Sequence, residues 1–460
     1  MKKVFILAAA ALVAIACNTE KPIPEYGYAI KDGTVVFNIP PRPADQQSML
    51  QFKCDPIDTV RVGFVGIGGR GSGAVRRWTK LDGVKIVALC DKYEEKVHNV
   101  QKMVTDAGLP EPTGYWGEEG YKELCERDDI DIVYVATSWQ MHTPVALYAL
   151  EHGKHAVTEV PTATSLEECW ALVNTAERVK KHCGIIENCC YDFFELTTLN
   201  LVQKGMLGEV IHGEGAYQHN LDPFWDYYTD DWRMEFNREH KGDLYGTHGL
   251  GPVAQCMGIH RGDKFNTLVA METEPFRGQK IADKRYGEGK YDYQNGDNTM
   301  TLISTEKGKT ILLEHQVTIA RPYSRMFQIT GLEGFANKYY DENFALNING
   351  HDAEDFLSPE ELAQVNKEYQ HPILTDELIE AAKKDGGHGG MDFIMDYRLV
   401  YCLHNGLPLD IDVYDTAEWC CIGELGEISL RNGNIPVQIP DFTRGEWNKI
   451  QGYHHAMKQK

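Results

Sequence analysis

From residue 60 onward, short apolar runs alternate with stretches of helical period. Arg61-Val62-Gly63-Phe64-Val65 reads as a strand and leads into a helical stretch from Ser72 to Thr79. A second strand runs from Val84 to Cys90, and Ile130 to Ala136 is almost unbroken in its apolarity, as a parallel strand buried on both faces should be. A helix from His142 to Glu151 and a strand from Gly184 to Glu187 continue the alternation. Beyond Asn188 the pattern changes to a leucine-rich helix (196–204), a Gly205/Gly208 turn and a strand from Val210 to Tyr217, with later strands near 267–272, 298–305 and 309–316. Helical stretches after Pro359 and at 375–384, 391–404 and 416–430 are expected to return against this sheet and the first domain. The predicted fold is α/β: a Rossmann dinucleotide-binding domain over 59–188, and over 189–460 an α/β domain with an open, mainly antiparallel sheet and carboxy-terminal helices.

The amino terminus has its own pattern. Lys2 and Lys3 precede an apolar run from Val4 to Ala16, 13 residues and too short to cross a bilayer, which reads as a signal peptide over 1–17. Cys17 after Ala14-Ile15-Ala16 resembles a bacterial lipobox, so lipidation at Cys17 and a place in the bacterial cell envelope are expected, with membrane contact only through that anchor. Residues 18–58, with Pro22, Pro24, Pro40, Pro41 and Pro43, read as a tether and an irregular arm without chemistry.

Composition narrows the function. The 460 residues carry 46 Lys plus Arg against 68 Asp plus Glu, a formal charge of −22, which lacks the basic footprint of a nucleic-acid partner. No Cys/His cluster has zinc spacing, and no metal is implied. The neighbours Cys189-Cys190 and Cys420-Cys421 read as small buried residues.

The first strand runs into Gly66-Ile67-Gly68-Gly69-Arg70-Gly71, a G-x-G-x-x-G loop opening a helix. Its glycines permit the tight turn, the backbone approach to a pyrophosphate and close helix–strand packing. The phosphates would lie at the helix amino end. Asp91, 25 residues after Gly66 at the end of the second strand, is placed to bind the adenosine ribose hydroxyls, which favours NAD over NADP. The loop Thr137 to His142 falls at the carboxyl edge of the sheet, beside the expected nicotinamide ribose.

The order G-x-G-x-x-G, Asp91, His142-Thr143-Pro144 and Glu159-Val160-Pro161 resembles the Gfo/Idh/MocA oxidoreductases, in which a lysine usually stands where Val160 stands here. The dehydrogenases of that superfamily carry D-x-x-x-H, and four residues before His248 this chain has Leu244, so the histidine is expected to lack its usual carboxylate. Gly69-Arg70, Trp139 to His142, Glu159-Val160, Asn188-Cys-Cys-Tyr191 and Tyr245-Gly-Thr-His248-Gly-Leu-Gly-Pro252 together resemble glycoside hydrolase family 109, typified by NAD-dependent α-N-acetylgalactosaminidase. The resemblance spans roughly residues 59 to 440.

That resemblance implies a redox-neutral hydrolysis of terminal α-N-acetylgalactosaminides or related hexosaminides. Bound NAD oxidises carbon 3, the aglycone is eliminated after loss of the carbon 2 proton, water adds at carbon 1, and the sugar is reduced again. NAD-dependent hydrolases are an exception to the two-carboxylate rule. His248, read as part of a glycine-rich loop, is the candidate base, since a neutral imidazole suits general base work. Tyr245 and Tyr323 match family positions that contact substrate and supply phenols to the reaction, and Tyr217, Arg233 and Thr247 complete the expected substrate set. Arg233 could instead pair with its neighbours Asp230 and Asp231. Gly66, Gly68, Gly69, Arg70, Asp91, Trp139, Gln140, Met141, His142, Glu159, Val160 and Asn188 are carried over for NAD. His212, His219, His240 and His260 match no family position and read as structural or surface residues. The alternatives are an NAD-dependent sugar dehydrogenase and a noncatalytic glycan-binding lipoprotein. A homodimer is expected only by analogy with the exposed strand faces of the superfamily.

Overall fold

The computed structural model describes residues 23–348 and 353–458. The signal segment and Cys17 lie outside the described residues. A hairpin comes first, β1 (Tyr28–Lys31) and β2 (Thr34–Phe37), joined through Asp32 and Gly33 at φ of 49° and 76°. Positive φ at both turn positions is the type I′ geometry that Asp-Gly favours and that matches strand twist. The expectation of an irregular arm over 18–58 is therefore corrected. The strands are too short to register as periodic, but the Asp-Gly pair between Val- and Ile-bearing stretches carried the signal. The chain then lies along the body, where Arg42 bonds Glu177 and Glu446 at 3.0 Å each and the Met49 amide donates to the Tyr414 hydroxyl at 2.9 Å.

Six parallel strands follow: β3 (Val60–Val65), β4 (Val84–Asp91), β5 (Thr113–Trp116), β6 (Ile132–Val135), β7 (His155–Thr158) and β8 (Cys183–Ile185), in the order β5-β4-β3-β6-β7-β8. Every residue of β6 and β7 is buried, which accounts for their unbroken apolar character. The chain turns outward in opposite directions from β3 and β6, and that switch point opens a crevice at the carboxyl ends of the strands. Helix α1 (Gly69–Trp78) leaves β3, and α2 (Trp139–Glu151) leaves β6. Because α2 opens at Trp139, residues Trp139 to His142 form its first turn, where a loop up to His142 was expected.

The second sheet contains β9 (Val210–Gln218), β10 (Phe265–Glu272), β11 (Thr299–Thr305), β12 (Thr310–Gln316), β13 (Gln328–Gly331), β14 (Gly334–Asn337), β15 (Asn343–Leu346) and β16 (Val437–Gln438). With the hairpin it is ten-stranded, β1-β2-β16-β10-β11-β12-β9-β13-β14-β15, parallel at β12/β9 and β16/β2 and antiparallel elsewhere. Its outer face is open, with Met271, Met300 and Leu302 exposed. Its inner face meets α4 (Thr247–Met257) at β9 and α6 (Val413–Arg431) at β10, while α3 (Trp232–Glu239) stands at the Tyr217 end of β9 and α5 (Met391–His404) packs on α1 of the nucleotide domain. Helix α6, capped by the Asp412 carboxylate on the amides of Tyr414 and Asp415, ties both sheets: Thr416 Oγ1 accepts from Ile185 N at 2.9 Å and Ser429 Oγ from Ala270 N at 3.1 Å. Among the described residues no helix is long and apolar enough to cross a membrane.

Candidate active site

The glycine-rich turn is built as the motif requires. Gly66 stands at φ +82°, and a Cβ there would lie 2.6 Å from the backbone of Ala136 and Thr137. A Cβ on Gly71 would meet the Gly66 carbonyl at 1.9 Å, so α1 packs directly on the turn. Gly68 faces open space, with nothing closer than Lys96 Nζ at 3.8 Å. Asp91 anchors the turn, Oδ2 accepting from Ile67 N at 2.9 Å and Oδ1 from Tyr93 N at 3.1 Å. Gly66, Gly68, Gly69, Arg70 and Asp91 line a cleft of about 300 Å³ that also takes in Thr137 and Met141. Segment 222–231 of the second domain covers it like a strap. The Tyr227 hydroxyl lies over Gly69, Asp230 accepts from Tyr93 at 2.8 Å and Lys92 at 3.3 Å, and Lys96 donates to Thr229 at 3.3 Å. An elongated cleft with an open glycine, a helix amino end free of acidic residues and a carboxylate at the strand end fits a dinucleotide.

Other residues assigned to NAD hold the cleft together from behind. Arg70 donates from Nε to Glu159 at 2.7 Å and from Nη1 to Asp392 at 2.6 Å, and Glu159 also accepts from the Tyr134 hydroxyl at 3.0 Å. Asp392, buried on α5, further accepts from Asn188 at 2.7 Å and His388 at 2.9 Å, with Arg77 at 3.4 Å. Burial would raise this carboxyl, but Arg70, followed by His388 and Arg77, holds it well below the usual range. His142 is buried with its two ring nitrogens facing the carbonyls of Pro161 (2.7 Å) and Thr137 (3.1 Å), and burial lowers its pKa. Val160 is buried beside them. Gln140 is exposed and does not line the cleft.

Trp139 connects the cleft to the second domain, stacking on Tyr245 at 5.2 Å and 19°. Around this pair an aromatic cage encloses Arg233, whose guanidinium lies 4.5 Å from the Tyr245 ring centre and 4.9 Å from those of Trp139 and Tyr228. Arg233 donates to the Tyr228 hydroxyl at 2.5 Å and makes no ion pair with its acidic neighbours. Asp231 is taken by Arg285, and Asp230 by Lys92 and Tyr93. Tyr217 lies 4.6 Å from Tyr245 and bonds His219 Nδ1 at 3.0 Å, while Tyr323, exposed, sets its ring edge-on to His219 at 5.1 Å. His219, expected to be structural or surface, thus stands within the aromatic group. Burial raises the phenols of Tyr217 and Tyr245 above the usual range, keeping them protonated.

His248 sits in the first turn of α4, where a glycine-rich loop was expected. Its ring lies 4.8 Å from Tyr245 and 5.6 Å from Tyr217. Nδ1 is 2.5 Å from Glu187 Oε1, so the histidine has a carboxylate after all, supplied by the turn after β8. The glycines of α4 make that contact: a Cβ on Gly249 would lie 2.3 Å from Ala216 N, and one on Gly251 3.1 Å from Glu187 and Cys190. Spacing along α4 could not reveal Glu187, nor could it reveal Asp392 and Tyr228. Thr247 is buried at the start of α4. Cys189, Cys190, Cys420 and Cys421 are buried free thiols.

Asp243, just before this turn, is buried, accepts from Tyr245 N at 3.1 Å and has no partner on Oδ2. Burial pushes it up to about 7. The folded chain therefore holds a proton that the unfolded chain releases near pH 4, and the resulting stability is full below about pH 4 and lost as pH rises toward 7. Asp243→Asn should melt with the parent near pH 4 and increasingly above it up to pH 8 in a thermal series. Coincident curves at every pH would contradict a buried proton.

A nucleotide crevice flanked by an open-sheet domain that presents a histidine and an aromatic wall defines the two-domain NAD-binding oxidoreductase architecture. Residues 60–186 match the family described as "Oxidoreductase family, NAD-binding Rossmann fold", and residues 191–449 match "Glycosyl hydrolase 109, C-terminal domain". The chain is 53% identical to glycosyl hydrolase family 109 protein 1 of Phocaeicola vulgatus, over 97% of this chain and 98% of that one. It is 51% identical to the protein of that name from Bacteroides thetaiotaomicron, over the full length of both. Levoglucosan dehydrogenase in complex with NADH shares the fold at a TM-score of 0.61 and 17% identity, covering 83% of this chain and 100% of that one. An Agrobacterium radiobacter oxidoreductase in complex with NAD+, L-tartaric acid and magnesium does so at 0.60 and 16%, covering 83% and 98%. The chain belongs to glycosyl hydrolase family 109, a glycosidase family built on an NAD-binding Rossmann domain.

Proposed function

We propose that this chain hydrolyses terminal α-linked N-acetylgalactosaminides or closely related hexosaminides by reversible oxidation of the sugar. The observation that carries the reading is His248, held by a buried carboxylate inside an aromatic wall that stacks directly on Trp139 of the nucleotide domain. NAD, held by Gly66, Gly68, Gly69 and Asp91, supplies oxidation and later re-reduction at carbon 3.

The rest is the work of the chain's own side chains. His248 takes the proton from carbon 2, made acidic by the adjacent carbonyl, and returns it after the aglycone has left and water has added at carbon 1. Tyr245, kept protonated by burial, and the exposed Tyr323 donate to sugar or leaving-group oxygens. Arg233, desolvated and without a carboxylate, offers its donors to the oxygens of a neutral sugar, while Tyr217 and its aromatic neighbours receive the C–H face. The buried Val160, where related dehydrogenases carry lysine, favours hydrolysis over net dehydrogenation. We further propose export and lipid anchoring at Cys17, and a homodimer through the outer sheet face bearing Met271, Met300 and Leu302.

The test is to incubate purified protein, without added nicotinamide, with p-nitrophenyl α- and β-hexosaminides in heavy water. Nitrophenol release from the α-N-acetylgalactosaminide with deuterium at carbon 2 is the expected result. NADH accumulating on free sugars, with no nitrophenol released, would overturn it in favour of a dehydrogenase.

A further inference from the structure

We infer that Glu187 is the positioning residue of the catalytic base: it fixes the proton of His248 on Nδ1, presents Nε2 to the sugar, and balances the charge that forms when Nε2 takes the carbon 2 proton. The inference rests on His248 being that base.

Glu187 is fully buried, and its Oε1 meets His248 Nδ1 at 2.5 Å. Among the described residues no Lys or Arg forms an ion pair with it, so the imidazole is its one cationic partner. Oε1 also accepts from Cys189 N at 3.1 Å, which pins the carboxylate to the turn after β8. Gly251 on α4 packs closely on the Glu187 side chain, where an added Cβ would lie 3.1 Å from it. A carboxylate fixed on one imidazole nitrogen selects the tautomer, because the neutral ring has a single N–H to donate. In the neutral ring the other nitrogen is then the acceptor, as general base work requires.

The carboxylate and the imidazole come from different domains. Glu187 follows the last strand of the nucleotide sheet, and its neighbour Asn188 bonds Asp392, the same carboxylate that holds Arg70 of the glycine-rich turn. The base is therefore oriented by the domain that carries the cofactor, and it is complete only when the sheet domain is docked.

The experiment compares Glu187→Gln, Glu187→Asp and His248→Ala in the NAD-loaded protein, reading carbon 2 deuterium exchange, the pH profile of kcat/KM and NAD retention. Glu187→Gln should lower kcat by about 10²-fold with little change in KM and with NAD retained. The pH profile of its kcat/KM should also differ from the parent's, since the carboxylate that faces the imidazole is gone. Glu187→Asp should recover part of the rate. A folded, NAD-loaded Glu187→Gln with parental exchange and a parental pH profile would overturn the inference, provided His248→Ala has lost exchange. Parental exchange in His248→Ala would instead remove the base assignment itself. Should Glu187→Gln fail to fold, nitrogen-15 histidine spectra of the parent decide: a proton on Nδ1, missing from His248→Ala, supports the inference, and a proton on Nε2 overturns it.

Discussion

His248→Ala should release nitrophenol from p-nitrophenyl α-N-acetylgalactosaminide at a rate about 10²–10⁴-fold below the parent, the usual contribution of a general base. Deuterium incorporation at carbon 2 should vanish with it. NAD should remain bound, because the ring is not among the residues that line the nucleotide cleft and bonds Glu187, not the glycine-rich turn. The substitution removes a ring packed between Tyr245 and Tyr217, so a modest loss of melting temperature is expected alongside the chemical one. A variant that hydrolyses and exchanges at the parental rate would leave the proton at carbon 2 without its base, and another group would have to be sought.

The largest stability loss should come from Asp392→Ala. Four side chains converge on this buried carboxylate: Arg70, Arg77, Asn188 and His388. Its removal leaves two guanidinium groups near one another in the interior with one carboxylate each, Glu159 for Arg70 and Asp396 for Arg77. Breaking a buried ion pair from one side costs about 3–5 kcal/mol, and the figure should appear as a lowered urea midpoint. Asp392→Asn keeps the shape and loses the charge, so it should fall between the alanine variant and the parent. Because Arg70 belongs to the glycine-rich turn, both variants should also shed NAD faster on gel filtration. Parental unfolding curves for both would show that the cluster contributes nothing net.

Local chemistry was legible in the sequence and long-range partnership was not. The glycine-rich turn, the strand-end Asp91 and the order of strands and helices follow from contiguous patterns, and the carboxy-terminal helix at 391–404 lies where its periodicity placed it. Counting four residues back from His248 found Leu244 and an apparently bare imidazole, whereas the carboxylate comes from 61 residues upstream, in the other domain. Arg70 bonds residues 89 and 322 positions away, so nothing beside it in the chain could reveal that its charge is engaged by protein. Arg233 stands next to two aspartates in sequence and pairs with neither, because the turn at Asp230 and Asp231, both at positive φ, sends their carboxylates outward and the guanidinium inward. The boundary of α2 was misplaced by three residues because His142-Thr143-Pro144 resembles a helix start, yet Trp139 to His142 already form the first turn.

The amino-terminal hairpin reaches the large sheet only through β16, whose Val437 pairs with Val35 on one side and Leu268 on the other. Among the strands, the earliest pair to be synthesised thus depends on the latest, roughly 400 residues later. A chain emerging from the ribosome cannot complete this sheet edge until Val437 has been made, however early its other strands pair. A stop before Val437 would accordingly leave the amino-terminal hairpin without the strand that joins it to the sheet.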